Sequence, residues 1–488
     1  MTDVDLNRFD EYRENNRLEV KKAQGGLPNS LWATYSAMAN CDGGVIILGV
    51  IENADGSFST AGLKDTERLK KDFWNTINSP RKVSLNLLTD NDLESFELRG
   101  DTILLIHIPR AKREEKPIYI NDNMFSGTYR RNGEGDYHCS RNEVLAMLRD
   151  QTEETPDMKI LSDYDLSVFN MDTVRSYRNR HMAYRAEHVW EGLPDDVYLE
   201  RIGAAKLDKA DHKLHPTAAG LLMFGEEYKI LYEFPEYFLD YREDLDPSIR
   251  WTDRVQSSSG DWTGNLFDFF FRVYPKLTKD LKIPFKLEGI TRIDDTPVHK
   301  AIREALANCL VNTDFFVPRG VVIRKDQDHI ILENPGYIRT GKDQMLKGGI
   351  SDPRNKALMK MFNMIGIGER AGSGVPDIFA TWDAQGWKKP LVEEQYNPDR
   401  TVLTLSFEKK ERENAGDTTQ KTTQKTTQKT RDEILNRIKE NPEVTQQTLS
   451  KELGISIDGI KYHIKKLKSA GILERVGGDK GGFWKVHQ

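Results

Sequence analysis

Between Glu408 and Thr430 the chain loses the means to build a core. Apart from one alanine and one glycine the stretch is polar, and it ends in three copies of Thr-Thr-Gln-Lys. A segment with no apolar face to bury stays extended, and a flexible tether of this length spans on average roughly 25–30 Å. The tract divides the chain, so the residues before it and the residues after it must each close a core of their own. It also separates charge. Residues 418–488 hold 14 Lys/Arg against 8 Asp/Glu, while the whole chain carries -6. A basic end on an acidic body assigns the end to a polyanion.

Residues 431–488 read as a compact unit. Arg431–Glu440 predicts a first helix with Ile434, Leu435 and Ile438 inward, stopped by Pro442. Thr445–Leu453 predicts a second helix, and Ser456–Ala470 a third with Ile460, Ile464 and Leu467 on its stripe. Ile472–Val476 and Phe483–Val486 flank a glycine-rich turn and predict a hairpin. This order resembles the winged helix-turn-helix of bacterial regulators. The resemblance implies duplex DNA as partner, with the third helix in the major groove. Lys461, His463, Lys465, Lys466 and Lys468 lie on that helix, and Lys480 and Lys485 on the wing, where they would meet phosphate.

Ahead of the tether, Thr296–Phe316 reads TPVHKAIREALANCLVNTDFF. Pro297 suits a first helical turn and Thr296 a cap before it. Val298, Ile302, Ala305, Leu306 and Cys309 recur at three- and four-residue steps, which predicts a core-facing stripe. Glu304 and Asn308 stand four apart beside it, one above the other. Taken alone, the pair could equally be a polar edge facing water. Downstream, His329–Glu333 predicts a strand, followed by Asn334-Pro335-Gly336, Lys347-Gly348-Gly349 and Gly366-Ile367-Gly368-Glu369-Arg370-Ala371-Gly372-Ser373-Gly374. Glycine-dense turns let backbone N–H groups approach an anion, and a helix starting after one turns its positive end toward it.

Residues 296–407 resemble a divergent ATP-binding domain of the gyrase, MutL and histidine-kinase superfamily, in the variant found in bacterial regulators and RecG-like proteins. The resemblance rests on Glu304-xxx-Asn308, Asn334-Pro335-Gly336 and Glu369-xx-Gly372-x-Gly374. It implies ATP and Mg²⁺ as cofactors, with Asn308 on the metal. Glu304 would be the base for any hydrolysis. Gly372, Ser373 and Gly374 would lie around the phosphates, and Asn334 and Gly336 on the adenine side. Two departures make binding a stronger expectation than turnover: Asn312-Thr313-Asp314-Phe315 replaces a His-Arg-Asp-Tyr-like run, and Asn-Pro-Gly replaces Asp-x-Gly-x-Gly.

At the other end, residues 1–24 predict a helix and the strand Leu18–Lys21, with Glu19 and Lys21 projecting together. A helix over Leu27–Asn40 follows, then a turn and the apolar run Val45–Ile51, which reads as one strand covered on both faces. Thr102–Ile108 predicts another strand and Ser140–Gln151 a helix. Glu19-x-Lys21, Ala39-Asn40-x-x-Gly43-Gly44 and Gly49-Val50 resemble the AlbA-like domain shared by bacterial regulators and Schlafen proteins. In the nuclease branch of that family three acids bind a divalent metal, and their counterparts are Glu14, Glu19 and Glu52, with Lys21 beside them. DNA or RNA binding without cleavage is the simpler expectation, because acidic residues are common near strand ends.

The fold class expected is multidomain α+β. Residues 1–151 form an AlbA-like unit, 152–295 a mixed connecting region, 296–407 a sandwich-type ATP-binding domain, 408–430 the tether and 431–488 the winged helix. In the connecting region, Thr217–Gly225 resembles the small-residue helix that joins the modules of the same regulator family, the aromatic tract Gly264–Phe271 predicts a buried helix, and His181, His188, His212 and His215 show no ligand spacing. Cys41, Cys139 and Cys309 stand apart, as free thiols of a reducing cytoplasm do. There is no apolar run of membrane-spanning length and no secretion signal at the start, so no membrane partner is expected. No GxxxxGK[ST] occurs, which argues against a helicase motor. The leading expectation is a nucleotide-responsive, DNA-binding transcriptional regulator, and the resemblance of residues 296–407 to nucleotide-closed ATP domains implies a homo-oligomer. The alternatives are an ATP-gated, metal-dependent nuclease of host defence and a scaffold with a decayed nucleotide site.

Overall fold

The computed structural model describes residues 9, 12–246, 248–279, 281, 286–288, 291–293, 295–368, 372–395 and 399–410. In the C-terminal part it describes 434–435, 437–439, 441–442, 444–453, 460, 464, 467–468, 473–476 and 483–486. The chain forms two compact units, Met1–Lys410 and Glu411–Gln488. Glu408–Lys410 belong to the first: Lys410 N–H donates to Gly386 O and Lys388 pairs with Glu408. The folded chain thus reaches Lys410, and 411–430 lies outside the described residues.

At the N-terminal end a four-stranded sheet runs in the order Leu18–Lys21, Gly44–Leu48, Asp101–Ile108, Leu93–Leu98. The first pair is parallel and the others antiparallel. Gly44–Leu48 is buried on both faces, as its unbroken apolar sequence requires. One face packs on the helices Ser30–Asn40 and Thr66–Ile77, and the other on Phe9 and Phe58. The run read as one strand over Val45–Ile51 is broken. Gly49 takes φ +88°, and Val50–Glu52 leaves the sheet to pair with Phe58–Thr60.

The second sheet has six strands in the order Asp253–Gln256, Leu239–Glu243, Val321–Lys325, His329–Pro335, Arg400–Ser406, Leu391–Gln395. Leu239–Glu243 and Val321–Lys325 are parallel, and helices Leu266–Thr278 and Pro297–Val311 lie on the crossover between them. Two strands therefore come from before residue 296. The connecting region and the segment after it share one core, in which Tyr177, Phe224, Phe270, Ile302, Leu306, Leu332, Phe362 and Trp382 meet. Pro297–Val311 buries Val298, Ile302, Ala305, Leu306 and Cys309 on its inner stripe. Thr296 does not cap it through its side chain; the hydroxyl meets His299 Nδ1 at 2.8 Å instead.

In the C-terminal unit Ile434, Ile438, Leu449, Ile460, Ile464, Leu467, Leu473 and Trp484 close a small core. The helix Gln446–Leu453 and the antiparallel pair Leu473–Val476 and Phe483–Val486 fall where the sequence placed them. Trp484 Nε1–H donates to Val444 O, tying the hairpin to the start of that helix.

Candidate functional site

A deep hollow lies between Pro297–Val311, the inner face of the six-stranded sheet and the start of helix Gly374–Ala384. Its volume is about 1080 Å³ with the open mouth included, the size class of small-molecule and cofactor pockets. Glu304 and Asn308 line it together, and Asn308 Nδ2–H donates to Glu304 Oε1 at 3.0 Å. Both are half-buried. The helical step that stacks the two side chains also joins them.

Asn334 reaches the same hollow from strand His329–Pro335, which runs on through Pro335 rather than turning at Asn-Pro-Gly. Its Nδ2–H donates to Asn312 O and Pro335 O, so the carboxamide is locked. Leu332, Val392, Leu403 and Ile378 supply an apolar wall and Thr401 a hydroxyl. Strand alternation points to Leu332 and Leu403 as inward residues, but nothing in the sequence marked them as cavity lining.

Gly372 and Gly374 complete the wall. A Cβ on Gly374 would stand 2.1 Å from Glu304 Oε1, and one on Gly372, at φ +72°, would meet the Ile350 backbone at 2.8 Å. Gly349 N–H donates to Gly372 O, so two glycine turns pack backbone on backbone. Ser373 is the residue before helix Gly374–Ala384, whose N-terminal end opens on the hollow. Gly336 stands behind the wall, its N–H on Asp399 O and a Cβ there 3.1 Å from Arg354. Glu369, Arg370 and Ala371 lie outside the described residues.

Tyr337, Ile338, Arg339 and Thr340 form a further stretch of wall that the sequence reading missed. Sequence alone gives no reason to separate them from an ordinary turn. Asp314, in the run that departs from the resembled pattern, pairs with Arg149 at 3.0 Å, while Phe315 packs against Phe234 and Tyr237.

Near the N-terminus, Glu14, Glu19 and Glu52 share one electrostatic neighbourhood. Burial pushes the Glu14 carboxyl up, and Glu19 and Glu52 add to it against the Val20 N–H and Arg131. Glu19 spends both oxygens on cations, with Arg131 Nη2 at 2.6 Å and Lys21 Nζ at 2.8 Å. Arg131 is buried and also holds Asp136 at 2.8 Å. A divalent ion there would have to displace an arginine and a lysine, so the residues as arranged do not fit a metal site. Among the described residues, three ligand atoms come within 4.8 Å of one another at Asp208, Asp211 and His215. Their own bonds account for that group: His215 Nε2 meets Asp211 at 2.8 Å and Ser162 donates to Asp208.

Of the basic residues assigned to the winged unit, Lys468 and Lys485 are exposed. Lys461, His463, Lys465, Lys466 and Lys480 lie outside the described residues. Among the described residues no helix is long and apolar enough to cross a membrane.

Family models match four segments. Residues 11–140 match "Schlafen, AlbA_2", 145–240 a domain of unknown function, 319–405 "Putative ATP-dependent DNA helicase recG C-terminal" and 428–474 "Winged helix-turn-helix DNA-binding". No curated protein matches the chain. Among solved structures, the DIP2311 protein from Corynebacterium diphtheriae is similar at 17% identity and TM-score 0.41, over 97% of this chain and 92% of that one. The N-terminal domain of a RecG-related protein from Nitrosomonas europaea is similar at 29% identity and TM-score 0.22, over 28% of this chain and 90% of that one. The chain thus joins a Schlafen AlbA_2 domain, an ATPase-like domain of the recG C-terminal type and a winged helix-turn-helix in one polypeptide.

Proposed function

We propose that this chain is a nucleotide-responsive DNA-binding regulator, with ATP and Mg²⁺ in the hollow beside Glu304 and Asn308 and duplex DNA on the winged helix. The observation that carries the reading is the gathering of Glu304, Asn308, Asn334, Gly372 and Gly374 around one cavity at the start of a helix. The helix end and the glycine turns offer N–H groups to phosphate. Leu332, Val392 and Leu403 offer an apolar face to a base. Asn308 donates through Nδ2, so its Oδ1 is the atom suited to a hard cation. Bound Mg²⁺ would neutralise phosphate charge. Glu304 accepts a proton from water in any turnover, and Asn308 keeps its carboxylate aimed.

Calorimetric titration of the full chain with Mg-ATP tests this. Asn308→Ala should abolish binding, while Glu304→Ala should keep it and lose any hydrolysis; equal affinity in wild type and both variants would refute the assignment. Cleavage by Glu14, Glu19 and Glu52 is the weaker reading, because Glu19 is already saturated by Arg131 and Lys21. With Mn²⁺ and labelled tRNA or DNA no cutting is expected, and cutting that disappears in Glu19→Ala would reinstate it.

A further inference from the structure

The wall stretch Tyr337–Thr340 has two sides. Its inner side lines the hollow, and its outer side is held by the N-terminal domain. Arg110 Nη2 donates to Ile338 O at 2.9 Å, while its Nη1 donates to Cys41 O at 2.6 Å. The Arg110 guanidinium also fills the space over Gly341, where a Cβ would stand 3.0 Å from Nε. Arg17 pairs with Asp343 at 2.7 Å and Arg113 with Asp352, another wall residue, at 3.0 Å. Lys116 Nζ stands 5.6 Å from the centre of the Tyr337 ring.

Underneath, both oxygens of Asp150, at the end of helix Arg141–Asp150, accept from Arg354 Nη1, at 2.6 and 2.5 Å, and Arg339 Nε stands 3.9 Å away. Arg354 Nη2 in turn donates to Tyr337 O at 2.9 Å. Asp150 and Arg354 are 3% and 4% exposed. A buried ion pair of this kind contributes little net stability but fixes position, because either partner alone is a buried charge. Neither Arg110 nor Asp150 lines the hollow.

We infer that Arg110 and Asp150 are positioning residues of the nucleotide cavity, so that the site is complete only with the N-terminal domain seated behind it. This rests on the nucleotide reading of the hollow. Occupancy of the cavity then braces Tyr337–Thr340 against Arg110 and Arg354, and the N-terminal domain registers it through Cys41 and Asp150. By linkage, a ligand that shifts the N-terminal domain must change nucleotide affinity by the same factor.

The test uses the full chain with Mg-ATP as probe, read by calorimetry and by backbone hydrogen exchange. In wild type, Mg-ATP should slow exchange at 337–343 and also at 110–118 and 141–151, outside the cavity. Arg110→Met and Asp150→Asn should each weaken Mg-ATP about fivefold or more, the lower end of site coupling, and lose the slowing at 110–118 and 141–151. The half-buried Arg17 side chain holds Asp343 and Asp42 O, and the milder Arg17→Ala should show the same loss of transmitted slowing to a lesser degree. A purely structural role would lower affinity or melting temperature in every state without removing that transmitted change. If wild type binds Mg-ATP but slowing stays inside the cavity, or if the variants bind and transmit as wild type does, the inference is overturned and the nucleotide reading stands. If wild type binds no Mg-ATP, the nucleotide reading falls and takes the inference with it.

Discussion

Gly374 and Glu304 show how much hangs on single side chains here. The 2.1 Å separation between a Cβ on Gly374 and Glu304 Oε1 leaves no room for alanine unless the carboxylate moves. Gly374→Ala should therefore lower any ATP hydrolysis at least about tenfold while Mg-ATP binding and melting temperature stay near wild type, as turnover assays, calorimetry and thermal unfolding would record. Asp399 is a second such residue. Burial, with Glu143 adding and Arg130 opposing, raises its carboxyl from 3.8 to about 7. The folded pKa lies above the unfolded one, so its stabilising contribution is full below about 3.8 and is lost as pH rises through 7. Asp399→Asn should accordingly gain melting temperature over wild type as pH rises from 4 to 7 and hold that gain above 7. A tenfold difference in proton affinity between the folded and unfolded chain is worth about 1.4 kcal/mol. The Glu304–Asn308 pair was legible because helical spacing alone stacks the two. The cavity wall at Tyr337–Thr340 was not, because what makes it a wall is contact with residues more than two hundred positions away, Arg110 above all.

At the scale of elements, periodicity located helices well and sheet membership poorly. Pro297–Val311 and its buried stripe follow directly from residue spacing. Strands Leu239–Glu243 and Asp253–Gln256 carry Asp, Arg and Glu among few apolar residues, and they join the sheet through long-range pairing that no local pattern announces. The break at Gly49 was hidden for the opposite reason: an unbroken apolar run looks the same whether or not it changes sheets. Helix Lys356–Met364 is capped from outside its own segment. Buried Asp157 accepts from Ala357 N–H and Leu358 N–H, both at 2.9 Å, and from Thr155 Oγ1. Losing it leaves two buried donors unsatisfied, so Asp157→Ala should cost about 2 kcal/mol, more than the ~1 kcal/mol of an exposed cap. Denaturant unfolding of the two proteins measures the difference.

For the whole molecule, the expected tether over 408–430 begins too early: the folded chain runs three residues further, to Lys410, and 411–430 lies outside the described residues. The three segments ahead of it read as separate from composition and motif, yet the last two share one core and one sheet, and the first supplies the backing of the cavity wall. The C-terminal unit closes its own core, so deleting residues 431–488 should remove most salt-sensitive duplex binding while leaving Mg-ATP affinity unchanged; duplex binding that survives the deletion would move that work to the N-terminal domain. Whether the hollow beside Glu304 holds nucleotide can be seen in a crystal structure of the full chain with Mg-ATP. A triphosphate should lie against the Gly372–Gly374 turn and the start of helix Gly374–Ala384, with Mg²⁺ on Asn308 Oδ1. A hollow left empty at millimolar Mg-ATP, or a nucleotide bound elsewhere, would contradict the nucleotide reading.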